Sequence, residues 1–231
     1  MLYTALTRAC CIDSSDRVLR IVPLDGGVSS DIARVDLTTR SICVKRALPK
    51  LKVELDWHAP VERNAFEYHW LTTVAAIVPD AVPKVYGRDP IAGLFAMEYL
   101  DPAEFCRWKD ELRTGSVDPM VAALVGDRLG RIHARTALRT EYADRFASDS
   151  IFHAIRLAPY FESLSNVHPD LSDRLSVLVE TTARTRRVLI HGDVSPKISC
   201  SADEVRCFWT RNARVSAIRR SILLSVSITC C

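Results

Sequence analysis

Val188-Leu189-Ile190-His191-Gly192-Asp193-Val194-Ser195-Pro196-Lys197 is the stretch that decides how the rest of the chain is read. Three apolar residues end in His-Gly-Asp, and a proline follows three residues after the aspartate. Val-Leu-Ile predicts a short buried strand, and Gly192 and Pro196 predict a tight loop with little freedom. A carboxylate just past a buried strand end, on a rigid loop, suits a group that must meet a substrate hydroxyl in fixed geometry. An ordinary strand-to-loop turn with aspartate as turn residue gives the same string. The choice between the two rests on what lies upstream.

Residues 18–37 read as strand, glycine turn, strand. Gly26 and Gly27 can take the positive φ of a hairpin, and Ser29 and Ser30 add hydroxyl donors. Such a loop can cover phosphates with backbone N–H groups, although no Gly-Lys-Ser/Thr follows as in a Walker loop. Residues 41–47 predict a third strand. Lys45 within it is either a solvated edge lysine or a lysine held over the sheet to pair with phosphate oxygens. Residues 60–76 predict an amphipathic helix with Pro60 in its first turn and apolar positions at Val61, Ala65, Tyr68, Leu71 and Ala75. Glu62 and Glu67 lie on that helix, and either could fix Lys45. Residues 82–87 and 93–100 predict two further strands with a turn at Asp89-Pro90.

Beyond Leu100 the pattern turns helical. Residues 118–137 carry a stripe of Val121, Leu124, Val125, Leu129 and Ile132, starting at Asp118-Pro119. Residues 149–164 and 170–184 predict further helices before the strand into His191. The fold class is α+β: a β-rich lobe over residues 1–100, a helical lobe over 101–197, and a compositionally odd tail over 198–231.

Composition excludes several classes. The chain has 231 residues and a net charge of +3. Its basic residues are scattered among acids, which argues against a nucleic-acid partner. No apolar run approaches the roughly 20 residues of a membrane span, and the first residues lack a signal-peptide pattern. The expectation is a cytoplasmic protein without a membrane partner. The eight cysteines form no Cys-x-x-Cys pair, so neither a zinc site nor a disulfide scaffold is expected.

Taken in order, the glycine hairpin, strand lysine, helix glutamate, apolar run into Met97-Glu98-Tyr99-Leu100, helical lobe and His-Gly-Asp-x-x-Pro-Lys string resemble the aminoglycoside phosphotransferase family. These are small-molecule relatives of the protein kinases, and the choline kinase and methylthioribose kinase branches are similar. The resemblance spans about residues 18–197. It implies a protein-kinase-like two-lobe fold and ATP-dependent transfer of a phosphoryl group to a hydroxyl of a small molecule such as an aminoglycoside, choline or a sugar-like acceptor. It implies ATP and Mg2+ as cofactors. Gly26, Gly27, Ser29 and Ser30 match the phosphate-covering hairpin, and Lys45 matches the lysine on the phosphates. Glu67 matches the glutamate that holds this lysine, with Glu62 as the alternative. Met97, Glu98 and Tyr99 match the hinge that meets adenine. Asp193 matches the catalytic aspartate, with His191 bracing its loop.

The tail departs from that pattern. The family continues His-Gly-Asp-x-x-x-x-Asn, and here the asparagine position is Ile198. The magnesium-binding aspartate that should follow on a strand is absent as well, so no metal ligand is assigned. Reading the codons one base earlier offers a cause. Either Phe208 codon followed by the Trp209 codon then gives Leu, and Trp209 followed by Thr210 gives Asp. Codons allowed for Ser216 to Leu224 permit Gly-Asp-Pro-Ala-Phe-Asp-Leu-Ala, a string the family often carries. The expectation is a single-base loss near Lys197–Ile198, with residues 198–231 out of frame and phosphotransfer lost or nearly so. A nucleotide-binding pseudokinase without catalysis is the alternative.

Overall fold

The computed structural model describes residues 2–13, 15–24, 29–52, 54, 57–196, 200–201 and 216–218, the last two segments by backbone only. Its first half is built on an antiparallel sheet of β1 (Val18–Pro23), β2 (Ser30–Leu37), β3 (Ser41–Ala47), β4 (Val85–Asp89) and β5 (Leu94–Glu98). The strand order is β1-β2-β3-β5-β4. β3 has the bounds the sequence predicts. β4 starts three residues later than expected, because Pro83 has no N–H to give a ladder.

Helix α2 (Arg63–Ile77) follows β3 and packs across β3, β4 and β5. It starts later than its predicted first turn, and its buried side is not the apolar stripe expected. Arg63, Asn64, Glu67, Trp70, Leu71, Thr73 and Val74 face inward, whereas Val61 is exposed. Spacings of three and four place these residues on one helical face. The polar members tolerate burial because the sheet supplies partners. Arg63 donates to the carbonyls of Ala59, Pro60, Ser29 and Leu48. Asn64 donates to Lys45 O at 3.2 Å.

The sheet's other face is covered by a helix the sequence reading missed, α1 (Leu2–Arg8). Ala5, Leu6, Ala9, Cys11 and Ile12 pack there on Val35, Leu37, Ile42, Val44, Leu94 and Ala96. Arg8 closes the contact with a 2.5 Å ion pair to buried Asp89.

The second half is helical. β6 (Cys106–Arg107) leads into α3 (Trp108–Arg113), and α4 (Pro119–Thr136) and α5 (Thr140–Arg145) follow. Asp118 caps α4 by accepting from Met120 N at 2.8 Å. Val121, Val125 and Ile132 are buried, as the predicted stripe requires. The expected helix over 149–164 is α6 (Asp149–Phe152), a π-helical segment (His153–Glu162) and α7 (Ser163–Val167). α8 (Ser172–Arg184) then leads to β7 (Leu189–Ile190). β8 (Cys200–Ser201) pairs with β6, and β9 (Ser216–Ile218) pairs with β7. One apolar cluster joins the halves, with Trp70, Leu71, Val74, Phe95 and Met97 on one side and Val125, Ile132, Phe146 and Leu189 on the other. Among the described residues, no helix is long and apolar enough to cross a membrane.

Candidate active site

Lys45 lies on the inner face of β3, where α2 packs, and its side chain is only 1% exposed. Its Nζ donates to Glu67 Oε1 at 2.6 Å, and Glu67 is 4% exposed. Of the two glutamates proposed for this role, the structure therefore pairs Glu67 with Lys45; Glu62 precedes the helix at its exposed start. A buried ion pair is a costly way to hold two elements together, since apolar residues of the same shape often serve as well. Its presence points to a demand for charge at that spot.

The His191 loop comes to the same helix. Strand β7 is fixed to the end of α4, where Leu189 N donates to Thr136 Oγ1 at 3.0 Å and Leu138 N donates to Arg187 O at 2.8 Å. Gly192 turns the chain at φ 76°, a conformation that side chains disfavour. Lys109 N of α3 then donates to Pro196 O at 3.0 Å, so the loop is tied at both ends. His191 is buried and meets the Trp70 ring edge-on, with centroids 4.6 Å apart. Trp70 lies one turn of α2 beyond Glu67. Burial drives the His191 pKa down to about 3, and Arg156 and Lys45 add to the effect in that order. The imidazole is thus neutral across ordinary pH, and both cations lie close enough to act on it.

Asp193 is half-buried, and its carboxylate pairs with Arg156 at 3.1 Å. Arg156 also donates from Nε to Gly192 O and from Nη1 to Ile155 O. No sequence signal singled out this arginine. It sits on the π-helical segment, and the wider turn of that segment breaks the helical spacing on which a pattern search relies. The site therefore holds Lys45, Glu67, His191, Arg156 and Asp193, drawn from β3, α2, the β7 loop and the π-helix.

Met97 is buried in the core, and Glu98 N donates to Lys84 O at 2.7 Å while Glu98 Oε2 accepts from Lys84 N. The Tyr99 ring carries the Arg34 guanidinium at 4.7 Å from its centroid. Ser29 and Ser30 are buried at the root of the hairpin, where Leu48 N donates to Ser29 O at 3.0 Å. Gly26, Gly27, Lys197 and Ile198 lie outside the described residues, as does most of the tail on which the frameshift expectation falls. Among the described residues, no group of three His, Cys, Asp or Glu side chains gathers closely enough to hold a metal ion. Asp193 meets the Arg156 guanidinium, and the positions after Lys197 where the resemblance expects magnesium ligands lie almost wholly outside the described residues.

This arrangement is α+β: a five-stranded antiparallel sheet and a helical region meet at a buried lysine–glutamate pair and a His-Gly-Asp loop. No family model matches the chain. Its curated relatives are methylthioribose kinases. The enzyme from Escherichia coli O45:K1 (strain S88 / ExPEC) is 32% identical over 141 residues, covering 60% of this chain and 32% of the enzyme. The one from Geobacillus kaustophilus (strain HTA426) is 27% identical over 217 residues, covering 79% of this chain and 52% of the enzyme. The chain thus spans about a third to a half of the relatives it matches. A solved spectinomycin phosphotransferase, in complex with ADP and spectinomycin, aligns over 89% of this chain and 65% of its own, with 12% identity and a TM-score of 0.45.

Proposed function

We propose that this chain is the nucleotide-binding and hydroxyl-orienting part of an ATP-dependent small-molecule phosphotransferase, and that its present tail leaves it with nucleotide binding but little or no transfer. The observation that carries the reading is the buried Lys45–Glu67 pair on the same helix that supports His191, two residues before Asp193. Transfer of a phosphoryl group demands positioning and charge neutralisation more than covalent help. ATP, when bound, supplies the phosphoryl group. Lys45, aimed by Glu67, would meet phosphate oxygens. The hinge segment Met97–Glu98–Tyr99 would take the base. The backbone around Gly26 and Gly27, with Ser29 and Ser30 at its root, would cover the phosphates. Asp193 would orient the acceptor hydroxyl and take its proton, while neutral, buried His191 braces its loop against Trp70. The methylthioribose kinases among the relatives make a thio-sugar the first acceptor to try, and the cytoplasm, where ATP is abundant, is the compartment we assign.

Two features favour binding without turnover. The resemblance places asparagine where Ile198 stands, and an aliphatic side chain cannot ligate magnesium. Arg156 also holds the Asp193 carboxylate. Calorimetry with ADP should give a measurable affinity for the chain and none for Lys45→Met. Incubation with ATP, magnesium and methylthioribose, choline or an aminoglycoside should release no product above background. A chain that binds no nucleotide overturns the binding assignment, and turnover of any acceptor overturns the inactivity. Triplets of the gene from Pro196 onward that do not regroup into Gly-Asp-Pro-x-x-Asp-Leu-Ala would end the frameshift account.

A further inference from the structure

The inner sheet face carries a second cation that the scheme above does not use. Strand register places Ile32, Lys45 and Phe95 in one cross-strand row and Arg34, Cys43 and Met97 in the next. Side chains two apart on a strand share a face, so Arg34 lies on the Lys45 face, displaced about 7 Å toward the end of β5. Cys43, Met97, Ile32 and Phe95 are buried, whereas the Arg34 side chain keeps 35% of its surface exposed. α2 packs across β3, β4 and β5, and Arg34 sits on β2, beside that cover.

The guanidinium is also fixed in place. Its Nε donates to Asp36 Oδ1 at 2.5 Å, and the same oxygen accepts from Ser41 Oγ at 2.6 Å. Its carbon stands 4.7 Å from the centroid of the Tyr99 ring. An arginine held this way presents a flat, delocalised cation whose orientation needs no further ordering on binding. Aromatic rings stack on such a surface, and a large ring gains more than a small one.

We propose that Arg34 contacts the nucleobase and sets a preference for purine over pyrimidine nucleotides at this site. The proposal rests on the phosphate role given to Lys45 and the base role given to the segment ending at Tyr99. Lys45 would engage the phosphates in one row, and Arg34 would engage the base in the next.

Calorimetric titration of the full chain with ADP, CDP and inorganic tripolyphosphate tests it. Arg34→Ala should weaken ADP about tenfold, the size of a desolvated cation–aromatic contact. It should leave tripolyphosphate within about twofold and shrink the ADP-over-CDP ratio. Arg34→Lys, which keeps the charge and loses the plane, should recover only part of the ADP affinity. Arg46→Ala removes a like charge from the opposite face, where Arg46 pairs with Asp31 at 3.0 Å, and should change none of the three. Equal losses for ADP and tripolyphosphate would reduce Arg34 to bulk charge and overturn the proposal. Unchanged ADP binding by Arg34→Ala would overturn it alone, with the nucleotide site intact. A wild-type chain that binds neither nucleotide overturns this proposal together with the proposed function.

Discussion

The two faces of the five-stranded sheet are buried in opposite ways. The outer face is closed by α1 with aliphatic side chains and alanine, and its charged contact, Arg8 with Asp89, lies at the edge. The inner face is closed by α2, and through its middle run Lys45, Glu67, Arg63 and Asn64. Burying apolar surface contributes stability directly, at roughly 25 cal/mol per Å². Burying Lys45 and Glu67 costs desolvation that their attraction only partly returns. One sheet thus separates a face made for packing from a face that keeps charge where packing alone would not want it.

The strongest way to break that contrast is to remove one partner of the inner pair. Lys45→Ala leaves the Glu67 carboxylate buried without its lysine, and should destabilise the chain by about 3–5 kcal/mol in urea denaturation. The paired change Lys45→Met with Glu67→Leu removes both charges, and should recover most of that stability while leaving ADP binding abolished. If the paired variant is as unstable as the single one, the charges serve the fold and the contrast between the faces fails.

On the outer face the sensitive point is Gly87. A Cβ built there would stand 1.8 Å from Ala9 O, so any side chain must push the end of α1 away. Gly87→Ala should cost about 1–3 kcal/mol, the usual penalty of overpacking a close contact. It should not change the affinity for ADP, since α1 is on the far side of the sheet. A loss of nucleotide affinity matching that of Lys45→Met would show that the two faces are coupled.

How much could be read from the sequence follows the same division. The strands of the inner face were legible because their apolar alternation and flanking turns are local signals, and β3 appears with the predicted ends. A partner for Lys45 was legible on the following helix as either Glu62 or Glu67, and the choice of Glu67 came from the resemblance to a known pattern. The buried side of α2 was misread because polar residues count against burial until their partners are known, and those partners lie on other elements. α1 was missed because seven residues are too few to display a helical period. Arg156 was invisible for two reasons: the π-helix shifts its phase, and Gly192 and Asp193, which it holds, come 36 and 37 residues later.

The finest difference between the faces is a proton. His191 belongs to the inner side, packed on Trp70, and its pKa is lowered to about 3 by burial, then by Arg156 and Lys45. In the unfolded chain the same imidazole titrates near its ordinary value, about 6.5. The folded state therefore binds fewer protons than the unfolded one throughout the window between those values. Its contribution to stability is complete above about pH 6.5 and is lost as pH falls toward 3. Between pH 6.5 and pH 5, above the range of most carboxylates, that loss should amount to about 1–2 kcal/mol. His69 and His133 are lowered too, chiefly by burial, and they slope the same way, so the decisive quantity is a difference. His191→Phe keeps an aromatic ring against Trp70 and removes the titration. Urea midpoints measured at half-unit steps should fall less steeply with acid for this variant than for the wild type. Parallel slopes would mean that His191 is reached by water or paired with acid in solution, and that the inner face does not hold its loop in the neutral, buried state.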